Sequence, residues 1–337
     1  MFVLGAGVSV PFGFPTGKSL LRILTGDPVS PRTSEEKELQ LSHERLVQLL
    51  EKGFGQGCMR SLIKDLKSSM PPSIDTWLDY RPSHKIMAKR AIAAVIYEYE
   101  NRCIDHAHVS DNWFEWIFSR MLRNAPTLDL FLANKITFIT FNYDRLLEWK
   151  LTQAIRGVFG EKDRDRIQEA AKSILDRIIH VHGSLRYSQN STLEGSFGLV
   201  GFSGFKRMHS KNPDNQIEDY ISDAAEGIRI IGEKGSNDAE INRAIDTLTH
   251  ATKVVFLGFS YDERNLQVLG TKNWAKTKPS ITYNGRTHRP VMGSAFGMRQ
   301  AQRDAASSEF DDNENRILLG NSDLTCVPFC DEHVFLI

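Results

Sequence analysis

Phe2-Val3-Leu4-Gly5-Ala6-Gly7-Val8-Ser9, followed by Pro11, Gly13 and Pro15, decides the reading of this 337-residue chain. Three apolar residues breaking into closely spaced glycines read as a buried strand that enters a turn where backbone comes close to something else. A strand, a glycine turn and then a helix form the opening unit of an α/β sheet, whose ligands gather at the carboxyl ends of the strands. Here the helix is predicted to begin between Thr16 and Ser19.

A turn of this kind would aim free backbone N–H groups and the helix N-terminus at a pyrophosphate. Two familiar phosphate motifs are nevertheless absent. The dehydrogenase fingerprint G-x-G-x-x-G needs a third glycine where this chain has Val10, and a P-loop ending in Gly17-Lys18-Ser19 would need glycine in place of Phe12. Taken alone, the stretch is equally compatible with a ligand-free glycine turn, so residues further along must decide.

Composition narrows the class. Hydrophobic residues make up 41% and charged residues 25% of the chain, ordinary values for a globular protein. Lys plus Arg and Asp plus Glu both number 42, so no bulk attraction to nucleic acid or anionic lipid is implied. The sequence has neither an apolar run of membrane-spanning length nor a signal-peptide pattern, which predicts a cytoplasmic protein with no membrane partner. The four cysteines, Cys58, Cys103, Cys326 and Cys330, offer a single close pair and no second one, so they read as free buried thiols rather than a zinc module.

Along the chain, Glu35 to Met70 carries leucines at helical spacing with a break near Gly53 to Gly57, and Ser73 can cap a helix after Pro71-Pro72. Ile86 to Cys103 and Asp111 to Leu122 are further helices, and their aromatics, Tyr97, Tyr99, Trp113, Phe114, Trp116 and Phe118, suit a helix core. Residues 31–126 thus read as a helical insertion covering the ligand turn. Ile136 to Phe141 is a β-rich run that ends in Asn142-Tyr143-Asp144 and a helix from Arg145. After a helix over Asp163 to Leu175, Arg177 to Leu185 forms a second strand, ending at His182-Gly183. Residues 186–249 form a variable excursion, an interface or a lid, with helices at Pro213 to Ala225 and Ala239 to Thr249. Lys253 to Leu257 is a core strand running into Gly258-Phe259-Ser260-Tyr261-Asp262 and the helix Glu263 to Leu269. Weak strands are expected at Ser280 to Tyr283, Pro290 to Met292 and Thr325 to Ile337.

Four strand-to-turn junctions therefore follow one another: GAGVS, TFNYD, HGSL and GFSYD. In order and residue type they resemble the sirtuin-like family of NAD-consuming domains, over nearly the whole span from Gly5 to Gly270. The resemblance implies a Rossmann-like α/β fold with a mainly parallel sheet of six or seven strands. Its core would be residues 1–30, 127–185 and 250–337.

The resemblance also implies roles. Asn142 would position water or the ribose, and His182 would act as general base or as hydrogen-bond acceptor toward the ribose or water. Asp144 would bind the nicotinamide carboxamide. Gly5, Ala6, Gly7 and Ser9 would hold the pyrophosphate, and Gly258 and Ser260 a phosphate or the adenosine ribose. Pro15, Phe141, Gly183 and Asn265 complete the implied substrate-binding set. Each residue also has a plainer reading: Asn142 suits a helix N-cap, His182 a satisfied structural histidine, and Asp75 a first-turn helix charge. His180, two residues before His182 and so on the same strand face, reads as structural. The His106 and His108 pair lacks a third ligand and predicts no metal site.

Two departures separate the chain from protein-deacylating sirtuins. The Cys-x-x-Cys pairs are missing, and Thr16-Gly17-Lys18 follows Pro15 where those enzymes have Asp-Phe-Arg. The departures point instead to the zinc-free bacterial antiphage branch, whose members hydrolyse NAD to ADP-ribose and nicotinamide. NAD is then the substrate and no further cofactor is implied. Control would come from homo-oligomerisation, a partner sensor or a HerA-type ATPase subunit. A module that senses NAD or ADP-ribose without turnover, and an NAD-dependent deacylase or ADP-ribosyltransferase, are the rival readings.

Overall fold

Six short strands pair into one parallel sheet in the order β3-β2-β1-β4-β7-β8, where β1 is Phe2–Leu4, β2 Phe138–Thr140, β3 Ile178–His180, β4 Val254–Leu257, β7 Val291–Gly293 and β8 Ile317–Leu319. The computed structural model describes residues 1–26, 34–55, 57–71, 73–103, 109–160, 162–163, 166–185, 213–230, 238–274, 281–283, 286–288, 290–310 and 317–334. From β1 the chain steps outward to β2 and β3 on one side. It then returns to lay β4, β7 and β8 on the other, so β1 and β4 flank the point where the strand order reverses. Counting the sheet's strands alone, this is the 3-2-1-4-5-6 order of the Rossmann fold.

Alternation along the strands builds two cores. Phe2, Leu4, Phe138, Ile178, Val255 and Leu257 face one layer of helices, while Val3, Ile139, Ile179, Val254 and Phe256 face the other. The first layer holds the helices Leu146–Phe159 and Ile167–Leu175, together with Gly17–Thr25, Cys58–Ser69 and Trp113–Leu122 from the N-terminal half. The second holds Asp238–His250, Glu263–Val268 and Gln300–Ser308. Both faces of a parallel sheet are covered in this way, so its strands read as continuous apolar runs.

The N-terminal helices are tied to the rest of the chain at specific atoms. Trp113, fully buried as its place in an aromatic stripe predicts, donates its indole N–H to the Val8 carbonyl at 2.7 Å. Asp111 accepts the main-chain N–H groups of Cys326 and Val327 at 3.0 and 2.7 Å, capping the helix Cys326–His333 from 215 residues away in sequence.

Two expectations need correction. Where a strand is expected from Thr325 to Ile337, Cys326–His333 is this Asp111-capped helix and residues 335–337 lie outside the described residues; the strand at that end of the sheet is β8. Of the cysteines, Cys326 and Cys330 are buried free thiols, Cys326 pushed up to about 12 by burial, but Cys58 is exposed. The Ile281–Tyr283 strand pairs with Arg286–His288 in a separate antiparallel hairpin instead of joining the sheet. His106 and His108 lie outside the described residues. No helix among the described residues is long and apolar enough to cross a membrane.

Candidate active site

The turns that follow β1, β2, β3 and β4 lie side by side at the carboxyl edge of adjacent strands, as the four motifs predict. The first and last of them touch through glycine. Gly5 and Gly7 donate their N–H groups to the carbonyls of Leu257 and Gly258 at 3.0 and 2.9 Å. A Cβ on Gly5 would sit 2.6 Å from the Gly258 oxygen, and one on Gly258, whose φ is 56°, would sit 2.3 Å from the Val8 nitrogen. These glycines exist so that two backbones can meet.

That contact changes one expectation. The amides of Gly5, Gly7, Val8 and Ser9 are all bonded inside the protein, Val8 to Gly5 and Ser9 to Ala6 in a tight helical turn, so they do not form a row of free N–H groups. The helix over Gly17–Thr25 does begin where expected, with the Thr16 hydroxyl accepting from the Ser19 N–H at 3.2 Å. Pro15 precedes it, partly exposed.

Three of the expected residues form one chain of hydrogen bonds. The Asn142 side-chain amide donates to the Ser9 hydroxyl at 3.0 Å, and that hydroxyl donates to Asp144 Oδ2 at 3.0 Å. Asp144 Oδ1 accepts from the Leu146 N–H at 3.2 Å. All three side chains are buried. The chain uses the amide nitrogen, and the amide oxygen, Asn142 Oδ1, is buried without a partner among the described residues. An orphaned acceptor of this kind costs stability and is a common mark of a functional site. Burial pushes the Asp144 carboxyl up to about 7, against the pull of the Leu146 and Ser9 hydrogen bonds. Beneath the turn, Ser9, Asn142, Asp144, Glu148, His180 and Trp113 bound part of a small cavity of about 10 Å³, at the lower limit for one water molecule.

His182 lies against the two residues that flank Asn142. Its ring centroid is 5.2 Å from that of Phe141 and 5.9 Å from that of Tyr143. The Asn265 side chain, from the helix after β4, acts on its ring, while Nδ1 is buried and has no partner among the described residues. Burial holds the imidazole below its usual value, and the nearby Asp75 carboxylate opposes this only in part, so His182 is neutral at pH 7 and able to take a proton. His182 and His180 have different neighbours despite their spacing: His180 turns to Glu148, His182 to the aromatic pair.

Gly183, at φ 66°, packs so closely on Gly227 that a Cβ would meet its oxygen at 2.0 Å. Ser260 is exposed at the outer rim of the β4 turn.

Sequence reasoning undervalued Asp75. It stands in the first turn of the Ile74–Tyr80 helix, capped by Ser73 as expected, and it also accepts the Tyr143 hydroxyl at 2.8 Å. Asp79, one turn on and so on the same face, pairs with Arg264 next to Asn265. The i, i+4 spacing of these acids was the available signal. Arg145 and Glu100 were missed as well. Arg145 donates from Nε and Nη2 to Glu100, and its own main-chain N–H does so at 2.9 Å, in a fully buried ion pair that also reaches Tyr220.

Strand order, reversal point and a buried polar cluster at the carboxyl edge define a Rossmann-like α/β protein. Within it, residues 136–288, which include β2, β3 and β4 and the Asn142, His182 and Gly258 turns, match the family described as SIR2-like domain. Comparisons with curated proteins and with solved structures give no match. Among the described residues no group of three or more His, Cys, Asp or Glu side chains is placed to hold a metal ion.

Proposed function

We propose that this chain is an NAD hydrolase that cleaves NAD to nicotinamide and ADP-ribose. The observation that carries the reading is a neutral, buried His182 packed on both neighbours of Asn142, whose side-chain oxygen is left free by the Ser9–Asp144 chain. The SIR2-like match over the same turns supports NAD as the ligand.

The chemistry follows from the groups present. The bond between the nicotinamide nitrogen and ribose C1′ breaks, its electron pair leaves with neutral nicotinamide, and positive charge develops on the sugar. Water attacks C1′ and gives its proton to His182, while Asn142 Oδ1 accepts from the water or a ribose hydroxyl and holds it in place. The neutral amide carries no charge that would pair with an ion, and the buried site excludes bulk water. Asp144 sits behind Asn142 and either meets the carboxamide of nicotinamide directly or orients Asn142 through Ser9.

An enzyme that drains NAD needs restraint in a healthy cell. We place the chain as the NAD-depleting effector of a bacterial antiphage system, held in check by self-assembly or by a sensor such as a HerA-type ATPase subunit. Purified protein incubated with NAD is expected to release nicotinamide. Asn142→Ala and His182→Ala should each lower that rate by about 100-fold or more, the scale of losing a general base or a positioned water. Equal release by all three proteins would overturn the assignment.

A further inference from the structure

His180 closes β3 on the sheet face shared with Leu4 and Thr140, directly under the Asn142 turn. Its Nδ1 lies 3.1 Å from the main-chain oxygen of Asn142, and its Nε2 lies 2.5 Å from Glu148 Oε1, on the first turn of the following helix. A carbonyl oxygen can only accept a hydrogen bond, and an ionised carboxylate can only accept as well. With Glu148 ionised, both ring nitrogens donate, which makes His180 an imidazolium paired with a carboxylate inside the protein.

We propose that the His180–Glu148 ion pair is a positioning device for Asn142. The imidazolium clamps the residue by its main chain, while Ser9 and Asp144 hold it by its side chain, so the free Oδ1 stays aimed at the reacting sugar. The last step of this inference rests on the hydrolase reading. The clamp itself rests only on the geometry.

The pair also ties Asn142 to pH. The charged groups that act on His180 are Glu148, from the Leu146–Phe159 helix, and Asp144, from the β2 turn. Burial alone would lower His180, but these charges and the two hydrogen bonds outweigh it and hold it above its usual value. When pH rises far enough to remove one proton, Glu148 keeps the proton on Nε2. The loss falls on Nδ1, whose lone pair then faces the Asn142 carbonyl, and the clamp opens.

Two isosteric changes separate this role from plain packing. The side-chain nitrogen of Asn falls near the place of a histidine Nδ1, and that of Gln near Nε2. His180→Asn thus keeps a donor for the Asn142 carbonyl and cannot titrate, whereas His180→Gln loses that donor. At saturating NAD, His180→Gln is expected to lose about 10-fold or more in kcat with KM unchanged, the scale of a slightly misplaced group. His180→Asn should stay within about 3-fold of wild type and lack the alkaline fall in rate. Equal losses in the two variants would overturn the clamp.

A second measurement needs no turnover. In ¹⁵N spectra of the full chain at pH 7, both ring nitrogens of His180 should be protonated, and the Asn142 side-chain amide signal should move in His180→Gln but not in His180→Asn. A neutral His180 ring at pH 7 would also overturn the proposal. If the spectra come out as expected while no variant cleaves NAD, the clamp stands and the hydrolase reading falls.

Discussion

Asp144 is a buried carboxyl whose hydrogen-bond partners among the described residues are a serine hydroxyl and a main-chain N–H. Its value near 7 in the folded protein, against 3.8 as a free side chain, has a cost with a definite sign. A raised value means that folding takes up a proton between about pH 4 and 7, so stability falls as pH rises through that window. The full cost above pH 7 is on the order of 4 kcal/mol for a shift of about three units. Urea unfolding should show Asp144→Asn gaining on the wild type between pH 5 and pH 8, and a stability difference independent of pH would contradict the burial argument. Glycine makes a second case at this scale. Gly5→Ala forces a methyl group onto the Gly258 carbonyl, and about 2 kcal/mol or more should be lost, read as a fall of several degrees in Tm. The sequence revealed that these glycines matter but misjudged the reason: they bring two turns together, and their N–H groups are used in doing so.

Among the elements, helices were legible from their spacing and caps. Ser73 accepts from a first-turn N–H as expected, and apolar periodicity marked the buried faces of its neighbours; the caps at Thr16 and Asn112 are added by the structure. The Cys326–His333 helix was misread: Val327 and Phe329 suit a strand, Pro328 in its first turn was the helix signal passed over, and the carboxylate that caps it, Asp111, lies far away in sequence. The same blindness to distant partners hid the Glu100–Arg145 pair, which joins the Lys85–Cys103 helix to the β2 turn and through Tyr220 to the Pro213–Glu226 helix. Glu100→Ala would take the carboxylate away from the buried Arg145 guanidinium and is expected to cost about 3–5 kcal/mol. Urea midpoints of Glu100→Ala, Arg145→Met and the double variant check this: the two losses should be far from additive, and additive losses would show that the pair is not coupled.

At the scale of the whole molecule, four short motifs in chain order were enough to predict the parallel sheet and the edge on which a site would form. Three-residue strands left no more to read, since β8 carries too little pattern to separate it from a loop. The ion pair beneath Asn142 was hidden too, because His180 and Glu148 meet only once β3 lies against the helix after β2. What the assembled molecule adds is convergence: Phe141 and Tyr143 from one turn, His182 from the next and Asn265 from the far side of the reversal point come together. The most direct test is a crystal structure of His182→Ala with NAD bound. The nicotinamide ribose should lie within hydrogen-bond reach of Asn142 Oδ1, beside the space vacated by the imidazole, with the diphosphate across the β1 and β4 turns. NAD bound elsewhere, with its ribose away from Asn142, would contradict the account.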